Sequence, residues 1–179
     1  MSCLRFSQSA AQSCRSAQPG ITTIYIANYS DIKSYTTNTA GDTITGLTMS
    51  GATGTQKSFY ALAQNKQVAS VVDTPTINIQ NGVAISKPQV IGKIQGMEAD
   101  VRSMYASLAQ TTVIAVVQTI DNRFYIVGID NGLDLTTATY GTEAAADGFK
   151  GFSFTLEGLE SKPLYELAST LNFVSTYVV

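Results

Sequence analysis

Residues 111–167 read TTVIAVVQTI (111–120), DNR (121–123), FYIVGIDNG (124–132), a polar connector (133–150) and GFSFTLEGLESKPLYEL (151–167). The first two apolar segments are β-branched or aromatic. They end in Asp121-Asn122 and Asn131-Gly132, pairs that tolerate tight-turn geometry. The last segment alternates strictly, with Phe152, Phe154 and Leu156 on one side and Ser153, Thr155 and Glu157 on the other. A period of two is what one dry and one wet sheet face require. This predicts a mainly β domain with an antiparallel meander near its C-terminal end, and no active-site signature lies inside it.

Working outward, MEADVRSMYASLAQ (97–110) is the one good helix. Met97, Val101, Met104 and Leu108 recur at helical spacing, and Glu98 and Asp100 sit in the first turn, where the helix dipole favours anions. Upstream, 68–79 and 83–94 predict a hairpin turning at Asn81-Gly82, the strongest two-residue hairpin signal in the chain. Pro75 and Pro88 lack a ladder donor, so edge positions or bulges are expected there. Ile24, Ile26, Ala27 and Tyr29 mark a first strand in which both faces look partly apolar. Residues 59–63 read as strand over helix. The Thr/Gly-rich stretch 35–56 reads as a flexible loop region with room for one short strand over Ile44, Leu47 and Met49.

The ends read as arms. Residues 1–19 are Ser, Gln and Ala with isolated apolar residues, expected to be irregular unless bound. The domain proper spans 20–168. The C-terminal arm, 169–179, carries Leu171, Phe173, Val174, Tyr177 and Val178 with no charged side chain. An uncovered β-prone end of this kind promotes association. It therefore either completes the domain's own sheet or adds to a neighbour's, and in the second case these five residues are the intersubunit contacts.

Composition narrows the function classes. Of the 179 residues, 13% are charged and the net charge is −2, where a globular domain usually carries about a quarter charged residues. A sparsely charged, Thr-rich surface suits β-structure and suits coverage by neighbours. No basic run exists, so tight or sequence-specific nucleic-acid binding is not expected. Histidine is absent, which removes the common nucleophile systems and the usual near-neutral acid–base group. Cys3 and Cys14 could pair, but nothing marks a disulfide framework, and two free thiols in a reducing compartment is the simpler reading. No apolar run is long enough for a secretion leader or membrane anchor.

Chemistry-bearing patterns are weak. Asp130-Asn131-Gly132-Leu133-Asp134 looks like a calcium-loop fragment but lacks the remaining ligands and the terminal Glu. Glu157 and Glu160 near Lys162 could form an acid pair, although surface carboxylates are the plainer expectation. Gly51–Thr55 has no Lys-Ser/Thr after it, and Lys57, Lys66, Lys87 and Lys93 are scattered, so no phosphate loop is expected. No catalytic residue, metal or cofactor is expected, and the chain reads as a non-enzyme.

Two stretches resemble a known family. CRSAQPGITTIYIANYSDI near the start and the strand, turn, Gly-strand and "G-x-x-x-T-L-x-G-x-E" pattern of 113–160 are similar to small virion proteins of tailed bacteriophages of Bacteroidetes, including crAss-like phages. The matching positions are Tyr25–Asp31, Val113–Gly128 and Gly151–Glu160, about half of the chain, while 35–96 departs from the pattern. The resemblance implies a tail-tube or neck-ring subunit, a β-sandwich or barrel with one flanking helix. Its partners would be copies of itself, neighbouring tail or neck proteins and genomic DNA passing without sequence-specific contact. It implies a location in the virion, after synthesis in the host cytoplasm, and a channel lining that is neutral or acidic. The alternatives are a receptor-binding or decoration β-sandwich, with Tyr35, Tyr60 or Tyr140 as aromatic platforms in the absence of Trp, and a head-completion or tail-terminator ring.

Overall fold

The computed structural model describes residues 19–51, 56–65, 68–78, 80–144 and 148–179. Of the expected arm 1–19, residues 1–18, with Cys3 and Cys14, lie outside the described residues, as do Lys66 and Ile79. The chain forms a mainly β two-sheet sandwich with a flanking helix. Its strands are β1 (Ile21–Asn28), β2 (Ile32–Thr37), β3 (Thr43–Met49), β4 (Tyr60–Ala63), β5 (Ser70–Asn78), β6 (Val83–Gln95), β7 (Val113–Thr119), β8 (Phe124–Val127), β9 (Asp134–Thr142), β10 (Lys150–Glu157) and β11 (Tyr165–Leu167). Helix α1 (Ala99–Leu108) lies between β6 and β7, and a one-turn helix α2 (Phe173–Tyr177) follows β11.

The larger sheet has the order β2-β3-β11-β8-β7-β1-β4 and the smaller β5-β6-β10-β9. Pairing is antiparallel except where β11 runs parallel to β3. The alternation read from 151–157 holds: Phe152, Phe154 and Leu156 are fully buried between the sheets. They share this core with Val113, Ala115 and Val117 of β7, and with Val101, Met104 and Leu108 of α1. Gly92 makes the space for this packing. It pairs with Phe154 across the strands, and a Cβ there would lie 2.5 Å from the Phe154 ring.

The meander itself is divided. β7 and β8 form their hairpin in the larger sheet, turning at Asn122 with φ 61°, but β10 belongs to the smaller sheet. The intervening connector is strand β9 rather than loop. Its inward residues Leu135, Ala138 and Tyr140 join the core, but a register shift between Thr155 and Leu156 leaves Thr136 as an extra residue and breaks the period of two. That bulge is why 133–142 reads as polar connector. Within the expected loop region 35–56 the short strand over Ile44, Leu47 and Met49 is present as β3, and the correction is that residues 35–37 belong to β2, which pairs with β3 as a hairpin at the sheet edge; residues 52–55 lie outside the described set.

The larger sheet is dry on both sides. Along β1 and β7, Ile24, Ile26, Val113, Ala115 and Val117 face the smaller sheet. The alternate residues Tyr25, Ala27, Ile114 and Val116 face a second core. The C-terminal segment covers that second core. The expected β-prone tail is a correction: residues 173–177 are helical, entered through Asn172 in the left-handed region (φ 45°). The segment docks on its own domain. Phe173 is buried against Tyr25, Phe59 and Phe124 with ring centroids 5.3, 5.1 and 5.6 Å away. Tyr177 Oη donates to the Leu47 carbonyl at 2.8 Å, and Val178 bridges Phe59 in parallel.

Phe173→Ala is therefore expected to cost about 3–5 kcal/mol in urea denaturation, as Phe154→Ala should in the first core. Val174→Ala, on the exposed side of the same turn, should change stability by less than about 0.5 kcal/mol. Equal midpoints for the Phe173 and Val174 variants would show that the tail does not seal the sheet. Gly92→Ala, which overfills the Phe154 contact, should cost about 1–3 kcal/mol.

Candidate assembly surface

The first place to look for chemistry is where acidic side chains meet. Asp73 on β5, Asp130 after β8 and Glu160 after β10 come together at one end of the sandwich. Glu160, expected at the surface, is instead buried, at 4% exposure. It is held there because the backbone beyond β10 continues to pair with β6: Ser86 and Glu160 exchange both amide–carbonyl bonds at 2.9 Å. Between this bridge and the β10 ladder, Gly158 donates to the Pro88 carbonyl at 3.2 Å, and Pro88 has no N–H with which to return the bond. So Pro88 sits within an inner strand at a defect in the ladder, while Pro75 lies on edge strand β5 as expected.

Every carboxylate here is occupied by the protein's own donors. The backbone N–H groups of Asp130 and Asn131 donate to Glu160 at 3.0 and 3.2 Å. Tyr35 and Ser161 hydroxyls both donate to Asp130 at 2.7 Å, and the bond to Asp130 holds the Tyr35 phenol well above its ordinary pKa. Asp73 accepts from the Ser86 hydroxyl and from Leu164 N. The free volume beside Glu160 is only ≈ 10 Å³. The 130–134 stretch that resembled a calcium-loop fragment is a turn, with Gly132 at φ 82° where a Cβ would lie 2.3 Å from Thr112. Among the described residues no group of three or more His, Cys, Asp or Glu is placed to hold a metal ion. The cluster ties loops from both sheets together, and on its outer side Asp130 and Tyr35 line a depression of ≈ 500 Å³ with Lys33.

Among the described residues, strand edges and a projecting hairpin are further surface features. β2 and β4 end the larger sheet, and β5 and β9 end the smaller. β5 and β6 pair from Ser70↔Ile91 to Asn78↔Val83, but β10 covers β6 only as far as Gln89. Apart from the Ser86–Glu160 bridge, the distal part, 74–78 with 83–86, is a two-stranded ribbon left bare by the described residues, with Gly82 in its turn at φ 64°. Its inward face continues the core pattern of Val71/Val90 through Pro75/Ser86 to Ile77/Ala84. There the cover runs out: Ile77 is 68% exposed, and on the other face Val83 is 44% exposed. Residues 74–86 contain no charged side chain. Edge strands are ordinarily protected by charge, so this ribbon is unprotected except by Pro75.

The five C-terminal residues expected at an intersubunit contact fall differently. Phe173 is buried, and Leu171, Tyr177 and Val178 pack half-buried against the second core. Only Val174 of the five is exposed. Of the three tyrosines weighed as binding platforms, Tyr60 is 64% exposed on β4. Tyr35 is bonded to Asp130, and Tyr140 Oη donates to the Met97 carbonyl at 3.1 Å. The projecting hairpin was predicted as a hairpin, but its lack of cover was not. The thirteen-residue run without charge was the available signal. No helix among the described residues is long and apolar enough to cross a membrane.

No family model matches the chain, and neither a curated protein nor a solved structure matches it.

Burial raises the Glu160 pKa, partly offset by its two backbone donors. A carboxyl whose pKa is higher folded than unfolded contributes most stability below its ordinary value of 4.5 and loses that contribution as pH rises through the folded value. The stability of the native protein relative to Glu160→Gln should therefore rise as pH falls from about 7 to about 4. Glu160→Ala, which strips acceptors from two amides, should cost about 1–3 kcal/mol at neutral pH. A pH-independent difference between the native and Gln forms, in parallel denaturant titrations, contradicts the buried ionisable Glu160.

Proposed function

We propose that this chain is a structural virion protein, a ring-forming subunit of a bacteriophage tail tube or neck that lines the passage for DNA. The observation that carries the reading is the uncharged β5–β6 ribbon, whose inward-patterned residues Pro75, Ile77 and Ala84 are exposed, with no cover among the described residues. An isolated two-stranded ribbon is marginal in water, so a ribbon of this length and apolarity is supported by contact with another molecule. The sandwich with its flanking helix is the architecture that the sequence resemblance implies for tube and ring subunits.

The charge distribution supports a conduit. Among the described residues Lys33 lies on β2, Lys57 before β4, Lys87 and Lys93 on β6, Arg102 on α1, Arg123 in the β7–β8 turn, Lys150 on β10 and Lys162 between β10 and β11. Only Lys87 and Lys93 share an element, and with Arg123 beside Asp121 and Glu166 at 3.4 and 3.6 Å, these described residues form no continuous phosphate track. A channel wall that DNA must slide past works best without such a track.

Sedimentation and negative-stain microscopy of the purified protein test this reading. The expected result is closed rings or stacked tubes, with antibody labelling of the tail or neck in intact virions. A monomer at all concentrations together with unlabelled virions would falsify it. Duplex DNA should be retained weakly, with a shallow dependence of log affinity on log salt. A slope of about −5 or steeper, as several neutralised phosphates produce, counts against smooth passage.

A further inference from the structure

We infer that the ribbon of one copy, 74–78 paired with 83–86, docks on a second copy, against the free edge of β4 and the groove between β4 and α1. The inference rests on the ring reading and names the contact that builds it. The groove, of ≈ 580 Å³, has Ile26, Leu62, Met104, Leu108 and Val113 along its floor, with Ser103 on the helix wall. Among the described residues β4 pairs only with β1, so the backbone groups along its other side have no strand partner there, and Tyr60, Ala61 and Ala63 are exposed. An apolar floor beside an unpaired strand edge is the arrangement that accepts an added strand.

Donor and acceptor match in charge. The ribbon has no charged side chain and the groove lining has one, Asp100. A depression of ≈ 500 Å³ beside Tyr35 is lined by Lys33 and Asp130, and a larger one, of ≈ 640 Å³ beside Phe124, by Arg123 and Glu166. An uncharged ribbon would strip water from both charges in either depression without replacing it, at a cost the groove beside α1 largely avoids.

The two features cannot meet within one molecule. Gln64, immediately after β4, accepts from the backbone N–H of Lys93 at 2.9 Å, which places β4 beside the C-terminal half of β6. The ribbon tip lies ten residues away along the same strand, from Lys93 back to Val83, or about 33 Å at strand rise. A strand paired throughout with β5 cannot fold back over that distance. Unlike patches far apart on one chain give a head-to-tail contact, which closes into a ring if the rotation permits and otherwise grows as a filament.

Complementation tests the inference. Ile77→Asp with Val83→Asp disables the donor alone, and Ser103→Arg obstructs the acceptor alone; all three side chains are exposed, so circular dichroism should stay native. Each variant alone should sediment at the monomer mass of 19.0 kDa, with association weakened at least about tenfold. Mixed together, the Ser103→Arg chain keeps its donor ribbon and the Asp chain keeps its groove, so a one-to-one heterodimer should form. In a Cys3→Ser, Cys14→Ser background, Ile77→Cys and Ser103→Cys chains should form a disulfide with each other in preference to either with itself. Wild-type assembly that survives both surface variants, or a mixture that neither pairs nor cross-links, overturns this contact while leaving the ring reading standing. A wild-type protein that never associates removes both.

Discussion

The structure depends on a seven-stranded sheet that must be kept dry on both faces. Alternate side chains of β1 and β7 are apolar in both directions, so packing the smaller sheet on one side satisfies only half of the burial. The other half is supplied by the last turn of the chain, with Phe173 seated among Tyr25, Phe59 and Phe124. Each large apolar side chain so covered contributes about 1.5–3 kcal/mol relative to exposure. The C-terminal segment is thus a part of the core, and its apolar character is explained inside one molecule. That shifts the weight of any intersubunit argument away from the tail and onto the strand edges.

The polar network around Glu160 solves a different problem. The chain must pass from β10 in one sheet to β11 in the other, and the connecting backbone has to satisfy its amides while leaving the ladder. Ser86 and Glu160 continue the pairing past the Pro88 defect, and the Glu160 carboxylate then takes up two amides of the 130–131 turn. Asp73 and Asp130 anchor the flanking loops through Leu164 N and the Tyr35 and Ser161 hydroxyls. Carboxylates brought together in this way look like a reactive cluster in outline, but their oxygens are consumed by structural donors.

With the interior accounted for, the uncharged ribbon is the feature that packing among the described residues leaves uncovered. Its inward face obeys the alternation of the core beyond the point where the core ends. Such a continuation is consistent with a sheet completed by a partner, and a groove with an unpaired strand edge lies on the same chain. The proposed assembly uses both without adding charge to the contact.

Much of the architecture was legible because local physics dictates it. The period of two in 151–157, the turn residues at Asn122 and Gly82, and the helical spacing in 97–110 each specify an element without reference to the rest of the chain. The lack of charge in 74–86 was likewise visible as a string. Which sheet each strand joins was decided only by tertiary structure, because pairing partners are separated by long stretches of chain and alternation is the same in either sheet. β9 was hidden by a bulge that shifts its inward residues by one, and the tail's helix by its β-branched composition. Whether Glu160 is wet or dry, and whether Ile77 is covered or bare, depends on where the opposing layer begins and ends. No local pattern contains that boundary; it exists only once the two sheets are packed.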